Sequence, residues 1–197
     1  MIYFIADLHF DHKNVIKYEN RPFSDVNVMD IGLISNWNKV VTDSDTVYVL
    51  GDLTLSHNFE NCKSYLSVLC GHKILVRGNH DSLTHEKYLA AGFERICPLE
   101  VVENAIDGHR LILSHYPPHP EEMQGYNYYL YGHVHGKWCP AEDKENALCV
   151  SCERINYTPI SLDEVGEMLR QKRAGTYKKV QKPSYVTDKT VMIGIYE

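Results

Sequence analysis

The chain has 197 residues, of which 44% are hydrophobic and 23% are charged, which is the composition of a globular protein and excludes a disordered or collagen-like chain. Its 20 Lys and Arg residues stand against 26 Asp and Glu residues, a formal net charge of −6. This balance argues against a broad surface for duplex DNA or an anionic membrane, because phosphate contacts require clustered cations.

Five short runs of apolar, β-branched or aromatic residues each end abruptly in polar residues. Continuous apolar runs of this length, bounded by turn residues, are typical of strands that are buried on both faces. The predicted strands are residues 2–6, 46–50, 73–77, 110–114 and 128–131.

Helical patterns separate these strands. Ser24 is placed to cap a helix whose apolar face includes Met29, Leu33 and Trp37, and a second apolar stripe runs from Phe59 towards Gly71. A short third helix is predicted at 85–91, and residues 161–164 form a capping box that opens a fourth. Strands that alternate with helices predict an α/β fold with a largely parallel sheet core.

The N-terminus and the C-terminus bear on compartment and domain organisation. The first residues lack a basic leader, and no stretch has the roughly 20 apolar residues that a membrane span needs, so we expect a cytoplasmic protein with no membrane partner. From about residue 175 the chain becomes polar and basic, and residues 191–196 read as an edge strand. We therefore predict one domain at 1–174 and an appendage at 175–197.

Six cysteines are scattered along the chain, and Cys149 and Cys152 form a C-x-x-C motif. A zinc site would need a second half-site at suitable spacing, and the sequence shows none. We expect reduced thiols that pack as small hydrophobic side chains.

Each predicted strand is followed by a residue that can bind a metal. Taken singly, Asp or Asn after a strand is usually a turn residue or a helix cap. In open α/β sheets, however, ligands bind beyond the carboxyl ends of the strands, so these side chains are expected to converge. The candidate ligands are Asp7, His9, Asp52, Asn79, His115, His133 and His135.

The residue types indicate which metals fit. Imidazole and carboxylate without thiolate suit Mn, Fe, Zn, Ni or Co. Seven ligands exceed what one tetrahedral ion needs, so we predict two divalent metal ions that share a bridging carboxylate. Such a cluster would keep a charge of about +1 and would favour an incoming phosphate ester.

The order and spacing of these motifs resemble those of the calcineurin-like metallophosphoesterase superfamily. The resemblance covers residues 1 to about 160 and consists of Asp7-x-His9, Gly51-Asp52, Gly78-Asn79-His80-Asp81, His115 and Gly132-His133-Val134-His135. It implies a four-layer αββα sandwich, built from two mixed β-sheets flanked by helices, with a two-metal site at one end.

The resemblance also implies a role for each matched position. Asp7, His9 and His135 would hold one metal ion. Asn79, His115 and His133 would hold the other, and Asp52 would bridge the two. His80 would be a catalytic histidine that does not bind metal.

An extended first motif at residues 7–14 resembles that of a branch of small bacterial and phage proteins. The branch pattern continues with Arg21-Pro22-Phe23 and Trp37-Asn38. His12 and Arg21 are then candidate substrate contacts, since arginine makes bidentate bonds to phosphate oxygens. The alternative for His12 is a helix residue that faces solvent. Ser151 departs from the pattern, because glycine is expected in the strand that leads to the last helix.

These residues predict a metal-dependent hydrolase for small phosphomonoesters or phosphodiesters, including nucleotide-like ones. A metal-bridging hydroxide would attack phosphorus, and His80 would give a proton to the leaving group. One alternative is a non-catalytic interaction scaffold with the same fold, and another is a nuclease for short nucleic acids. The complete set of candidate ligands favours the enzyme, and the net charge makes long duplex DNA a poor substrate.

Overall fold

The computed structural model of the protein describes residues 1–123, 125 and 127–178. The strands in this part are β1 (Ile2–Ile5), β2 (Thr46–Val49), β3 (His72–Val76), β4 (Arg95–Cys97), β5 (Leu99–Ile106), β6 (His109–Ser114), β7 (Tyr128–Tyr131), β8 (Ala147–Cys149) and β9 (Ile160–Ser161). The helices are α1 (Lys13–Tyr18), α2 (Val26–Val40), α3 (Phe59–Val68), α4 (His85–Ala91) and α5 (Leu162–Arg173). Single 3-10 turns lie at Pro140–Asp143 and Cys152–Arg154.

The strands form two mixed sheets. The first has the order β4-β3-β2-β1-β9, and it is parallel except for β9, which runs antiparallel to β1. The second has the order β5-β6-β7-β8, and it is parallel except for β5, which runs antiparallel to β6. Helices flank these sheets, so the predicted class of two mixed sheets flanked by helices is confirmed.

The predicted elements are present, with small shifts at their ends. Helix α2 is capped by Asp25 and not by Ser24, because the Asp25 carboxylate accepts a hydrogen bond from the Val28 N–H at 3.0 Å. Helix α4 is capped at its C-terminus by Gly92, whose φ of 127° suits a residue without a side chain. The capping box at the start of α5 forms as predicted, with reciprocal bonds between Ser161 and Glu164.

The main hydrophobic core lies between these layers. Strand β1 contributes Phe4 and Ile5, and α2 contributes Leu33 and Trp37, all of them almost fully buried. The Trp37 indole N–H donates to the Cys70 carbonyl at 3.0 Å, so its polar atom is satisfied inside the core. Each such apolar side chain contributes about 1.5–3 kcal/mol by burial, which fixes the strands whose ends carry the candidate ligands.

The two sheets are joined at the end where the parallel strands stop. The Ala6 N–H donates to the Val150 carbonyl at 2.9 Å, and the Cys152 N–H donates to the Ala6 carbonyl at 3.0 Å. The residues after β1 and β8 therefore lie side by side, although they belong to different sheets. This junction brings the loops of both sheets to one rim.

Two further predictions concern the termini and the thiols. No helix in the described ranges is both long and apolar enough to cross a bilayer. The predicted strand at 191–196 and most of the predicted appendage lie outside the described residues. All six cysteines are unpaired, and burial raises the pKa of the Cys149 thiol to about 12, so the C-x-x-C pair packs as protonated thiols.

Candidate metal centre

The first group of converging ligand atoms comprises Asp7, His9 and His135. One ligand atom from each residue lies within 4.8 Å of the others. Asp7 Oδ1 and both ring nitrogens of His9 are buried, and none of them has a hydrogen-bond partner among the described residues. Because an unsatisfied buried polar atom costs free energy, this arrangement fits a cation as the missing partner.

The Asp7 carboxylate is held so that one oxygen stays available. Its Oδ2 accepts hydrogen bonds from the His133 N–H at 2.9 Å and from the Ser151 hydroxyl at 2.5 Å. Burial raises the pKa of Asp7 to about 6 in the protein without a cation. A nearby divalent cation would favour the ionised carboxylate and oppose this effect of burial.

The second group comprises Asn79, His115 and His133. Asn79 Oδ1 lies 2.8 Å from His115 Nε2 and 2.9 Å from His133 Nδ1, and the two imidazole nitrogens are 3.2 Å apart. His115 Nδ1 lies 2.9 Å from the Leu50 carbonyl oxygen, which can only accept, so Nδ1 carries the hydrogen. The lone pair of His115 Nε2 is thereby directed at the other two atoms.

Asp52 lies between the two groups. Its Oδ2 is 3.6 Å from His9 Nε2 and 3.6 Å from His115 Nε2, and Asp52 converges with Asp7 and His115 within 4.8 Å. Its Oδ1 accepts a hydrogen bond from the His80 N–H at 2.9 Å. A carboxylate in this position is close enough to both groups to contact a cation in each, which is the bridging role that the resemblance implies for Asp52.

Five of the seven candidate ligands have left-handed backbone conformations. The φ angles of Asp7, His9, Asp52, His133 and His135 lie between 50° and 70°. Non-glycine residues adopt this region rarely and at a cost of about 1–3 kcal/mol, and they concentrate at functional sites. The core and the junction between the sheets hold this strained backbone in place.

Glycines allow the loops to approach the two aspartates. A Cβ on Gly132 would lie 2.6 Å from the Ala6 Cβ and 2.9 Å from Asp7 Oδ2. A Cβ on Gly78 would collide with the Asp52 carboxylate. The glycines of the sequence motifs are therefore needed for close packing against the ligands.

Asp81 links the loops that follow β2 and β3. Its carboxylate accepts hydrogen bonds from the backbone N–H groups of Gly78 (2.7 Å), Asp52 (2.9 Å) and Leu53 (3.2 Å). These three bonds from backbone N–H groups fix the backbone of Asp52.

The rings of His80 and His12 both lie close to the ring of His9. The ring centroid of the exposed His80 is 5.5 Å from that of His9, and the ring centroid of His12 is 5.4 Å from it. His12 is half-buried, and its Nδ1 has no hydrogen-bond partner in the described part of the chain. Burial and then the charge of Arg21 lower the pKa of His12, so its imidazole is neutral at pH 7.

Arg21 occupies a different place from the one expected. It is only 4% exposed, and its guanidinium donates to Glu153 Oε1 and to the backbone carbonyls of Asp7 and Leu8. Since these N–H groups are bonded inside the protein, Arg21 has no pair of N–H donors left for a phosphate group. The prediction that Arg21 contacts the substrate is therefore wrong, because Arg21 forms a buried ion pair with Glu153 beneath the first group.

Sequence reasoning missed Glu153 and noted Ser151 only as a departure. Glu153 Oε1 lies 3.2 Å from His135 Nδ1 and pairs with Arg21. Burial alone would raise the pKa of Glu153, but Arg21 and His135 lower it to about 2, so the carboxylate is ionised. No local signal marks either residue, because both act through partners far away in the sequence.

Comparisons with known proteins show a family, two relatives and a solved structure that this chain is similar to. The model of the family described as "Calcineurin-like phosphoesterase superfamily domain" matches residues 1–152. The chain is 38% identical over 175 residues to the uncharacterized protein MJ1445 of Methanocaldococcus jannaschii, a match that covers 86% of this chain and 92% of that protein. It is also 35% identical over 81 residues to the Gene 66 protein of Mycobacterium phage L5, covering 40% of this chain and 39% of the phage protein.

A solved structure has a similar fold. The crystal structure of the protein of unknown function AQ665 from Aquifex aeolicus matches with a TM-score of 0.67 and 32% sequence identity. The match covers 85% of this chain and 98% of the other. The shared architecture thus extends over nearly the whole of that protein.

Proposed function

The chain belongs to the calcineurin-like phosphoesterase superfamily, and from this we propose that it is a phosphoesterase that uses two divalent cations. The observation that carries the proposal is the position of Asp52 Oδ2, 3.6 Å from a histidine of each ligand group. A single carboxylate shared by two groups of nitrogen and oxygen donors is the arrangement that a two-metal hydrolase needs.

In this proposal the two cations are drawn from Mn, Fe, Zn, Ni and Co, which accept imidazole and carboxylate ligands. The first would be held by Asp7, His9 and His135, the second by Asn79, His115 and His133, and Asp52 would contact both. When bound, the cations neutralise phosphate charge and lower the pKa of water to roughly 7, which supplies the nucleophile.

His80 and His12 provide the polar groups that would contact the leaving oxygen and the phosphate. In this proposal His80 gives a proton to the leaving oxygen. Its side chain is exposed, and its backbone N–H donates to Asp52 Oδ1 at 2.9 Å. His12 donates a hydrogen bond to a phosphate oxygen from its place beside His9. Arg21 binds no substrate in this proposal.

The substrate we propose is a small phosphoester that carries a flat organic group. Tyr116 is 53% exposed, and its ring centroid lies 4.7 Å from that of His133. An exposed aromatic face beside the second ligand group suits stacking on an aryl or nucleobase ring.

An activity screen tests this function. Metal-stripped protein is reloaded separately with Mn, Ni, Co, Zn or Fe and assayed on p-nitrophenyl phosphate, its bis ester, cyclic nucleotides and a short single-stranded oligonucleotide. We expect turnover that depends on the added metal and reaches its maximum at two bound equivalents. Full metal loading without turnover on any of these esters would favour the interaction scaffold instead.

A further inference from the structure

A buried chain of charged groups runs beneath the first ligand group. The Arg21 Nε and Nη2 atoms each lie 2.8 Å from Glu153 Oε1, and His135 Nδ1 lies 3.2 Å from the same oxygen. Arg21 and Glu153 are only 4% and 5% exposed, and 132 positions of sequence separate them. Taking two charges out of water costs free energy, so a pair buried this deeply needs close contacts and further hydrogen bonds to hold it.

The contact with Glu153 determines which nitrogen of His135 carries the hydrogen. An ionised carboxylate can only accept, so His135 Nδ1 donates, and in the neutral imidazole the lone pair is left on Nε2. Glu153 itself belongs to neither group of converging ligand atoms among the described residues. It therefore acts on His135 from behind the site and not as a ligand.

We propose that Glu153 is a positioning residue that fixes His135 as the Nδ1–H tautomer, with Arg21 holding the carboxylate in place. This inference rests on the proposed function in that a cation is what His135 Nε2 would bind. Carboxylates that orient metal-binding histidines in this way raise the basicity of the ligand as well as aiming it.

Arg21 extends the same support to the other members of the first group. Its Nη2 donates to the Asp7 carbonyl at 2.6 Å, and its Nη1 donates to the Leu8 carbonyl at 2.8 Å. The guanidinium thus connects the loop that carries Asp7 and His9 to the carboxylate that orients His135. All three ligands of the first group depend on one buried ion pair.

In the second group, His115 is oriented by a different contact, so the effect of Glu153 on the first group can be tested separately. His115 donates its Nδ1 hydrogen to the neutral Leu50 carbonyl, and no carboxylate of the described residues is bonded to this nitrogen. Changes at Glu153 should therefore weaken one cation site and leave the other.

Two variants separate the charge of Glu153 from its role as acceptor. Both hydrogen bonds, from Arg21 Nε and His135 Nδ1, and the ion-pair contact with Arg21 Nη2 fall on Oε1, whereas Oε2 has no partner in the described part of the chain. In Glu153→Gln the amide oxygen can keep these bonds. The double variant Arg21→Met with Glu153→Leu removes the acceptor without leaving a buried unpaired charge, a replacement that proteins often tolerate. Glu103→Gln, in the exposed pair with Arg110, is the matched control.

The experiment first determines the tautomer of His135 and then measures the affinity for metal. Nitrogen-15 NMR of histidine-labelled, metal-free protein reports which His135 nitrogen is protonated, and calorimetric titration with Mn²⁺ alone reports the affinity of each site. We expect the Nδ1–H tautomer in the wild type, in Glu153→Gln and in the control. We expect its loss in the double variant, together with about 10- to 100-fold weaker binding at one of two sites.

Each other outcome overturns the proposal. A double variant that retains the Nδ1–H tautomer would show that Glu153 does not set it, even if metal affinity falls through the Asp7 loop. A Glu153→Gln variant that loses the tautomer as fully as the double variant would remove the role of the Oε1 acceptor. Because the NMR measurement uses metal-free protein, it separates this proposal from the two-metal function, which fails instead if the wild type binds fewer than two equivalents.

Discussion

The Ser151 hydroxyl donates to Asp7 Oδ2 at 2.5 Å, although 144 positions separate the two residues in the sequence. The bond exists because Ala6 and Ser151 lie opposite each other at the junction of the two sheets. Together with the His133 N–H it occupies one carboxylate oxygen and leaves Asp7 Oδ1 without a partner among the described residues. The residue that departs from the family pattern thus orients the carboxylate of a candidate ligand.

Replacing Ser151 with alanine should weaken the first cation site. The loss of one of two donors to Oδ2 lets the carboxylate rotate, and outer-shell changes of this kind cost about 10-fold or more in metal affinity. Calorimetric titration with Mn²⁺ measures the effect, and Ser67→Ala, which removes an exposed hydroxyl bonded to Ser64, is the control. Unchanged affinity at both sites would show that the bond to Asp7 does not matter for binding.

Replacing Asp52 with asparagine should weaken both sites at once. The amide keeps an acceptor for the His80 N–H but lacks the negative charge that the two groups share. We expect fewer than two bound equivalents when metal-loaded protein is analysed after dialysis, with Asp107→Asn as an exposed control. Full occupancy in Asp52→Asn would contradict a bridging carboxylate.

Replacing His80 with alanine should retain both cations and lose turnover by about 100- to 10,000-fold, the usual contribution of a general acid. The reason is that the His80 side chain is exposed and belongs to neither ligand group in the described residues. The measurement is kcat on the best ester of the screen together with metal content. His72→Ala is the control, since His72 lies at the opposite end of β3 and pairs with Glu94. Equal kcat values for the His80 variant and the wild type would remove its assigned role.

The pH dependence of stability should contain a contribution from Asp30. Burial raises its pKa from 3.8 to about 6, although bonds from the Tyr65 hydroxyl and the Asp11 N–H oppose this. The folded protein therefore binds the Asp30 proton more tightly than the unfolded chain does. The resulting stabilisation is complete below the unfolded pKa and is lost as the pH rises through about 6.

The variant Asp30→Asn should lack the loss of stability that the wild type shows as the pH rises through about 6. Between pH 4 and 7 the free energy of unfolding of the variant should rise relative to the wild type by about 1–3 kcal/mol. Urea unfolding at a series of pH values measures the difference, and Asp107→Asn should follow the wild-type profile. A constant difference between Asp30→Asn and the wild type over this range would exclude a titrating Asp30.

The sequence was a good guide wherever a local pattern carries the information. The five apolar runs correspond to β1, β2, β3, β6 and β7, because a strand that is buried on both faces has apolar residues at consecutive positions. Strands β4, β5 and β9 were not predicted, since they are short or lie at sheet edges, where alternation and length signals are weak. The strand expected at Ser151 is β8, which ends at Cys149. Helix α1 spans only six residues and shows no extended apolar stripe.

The sequence by itself determined the chemical identity of the site: carboxylate, amide and imidazole groups placed directly after buried strands, with glycines where the loops pack closely. Only the tertiary structure decided which side chains support them. Arg21 and Glu153 meet across 132 positions and Ser151 meets Asp7 across 144, through a junction between two sheets that no local pattern encodes. The physical reason is that a strand end is specified by its neighbours along the chain, whereas the partner of a buried charge is specified by the packing of the whole fold.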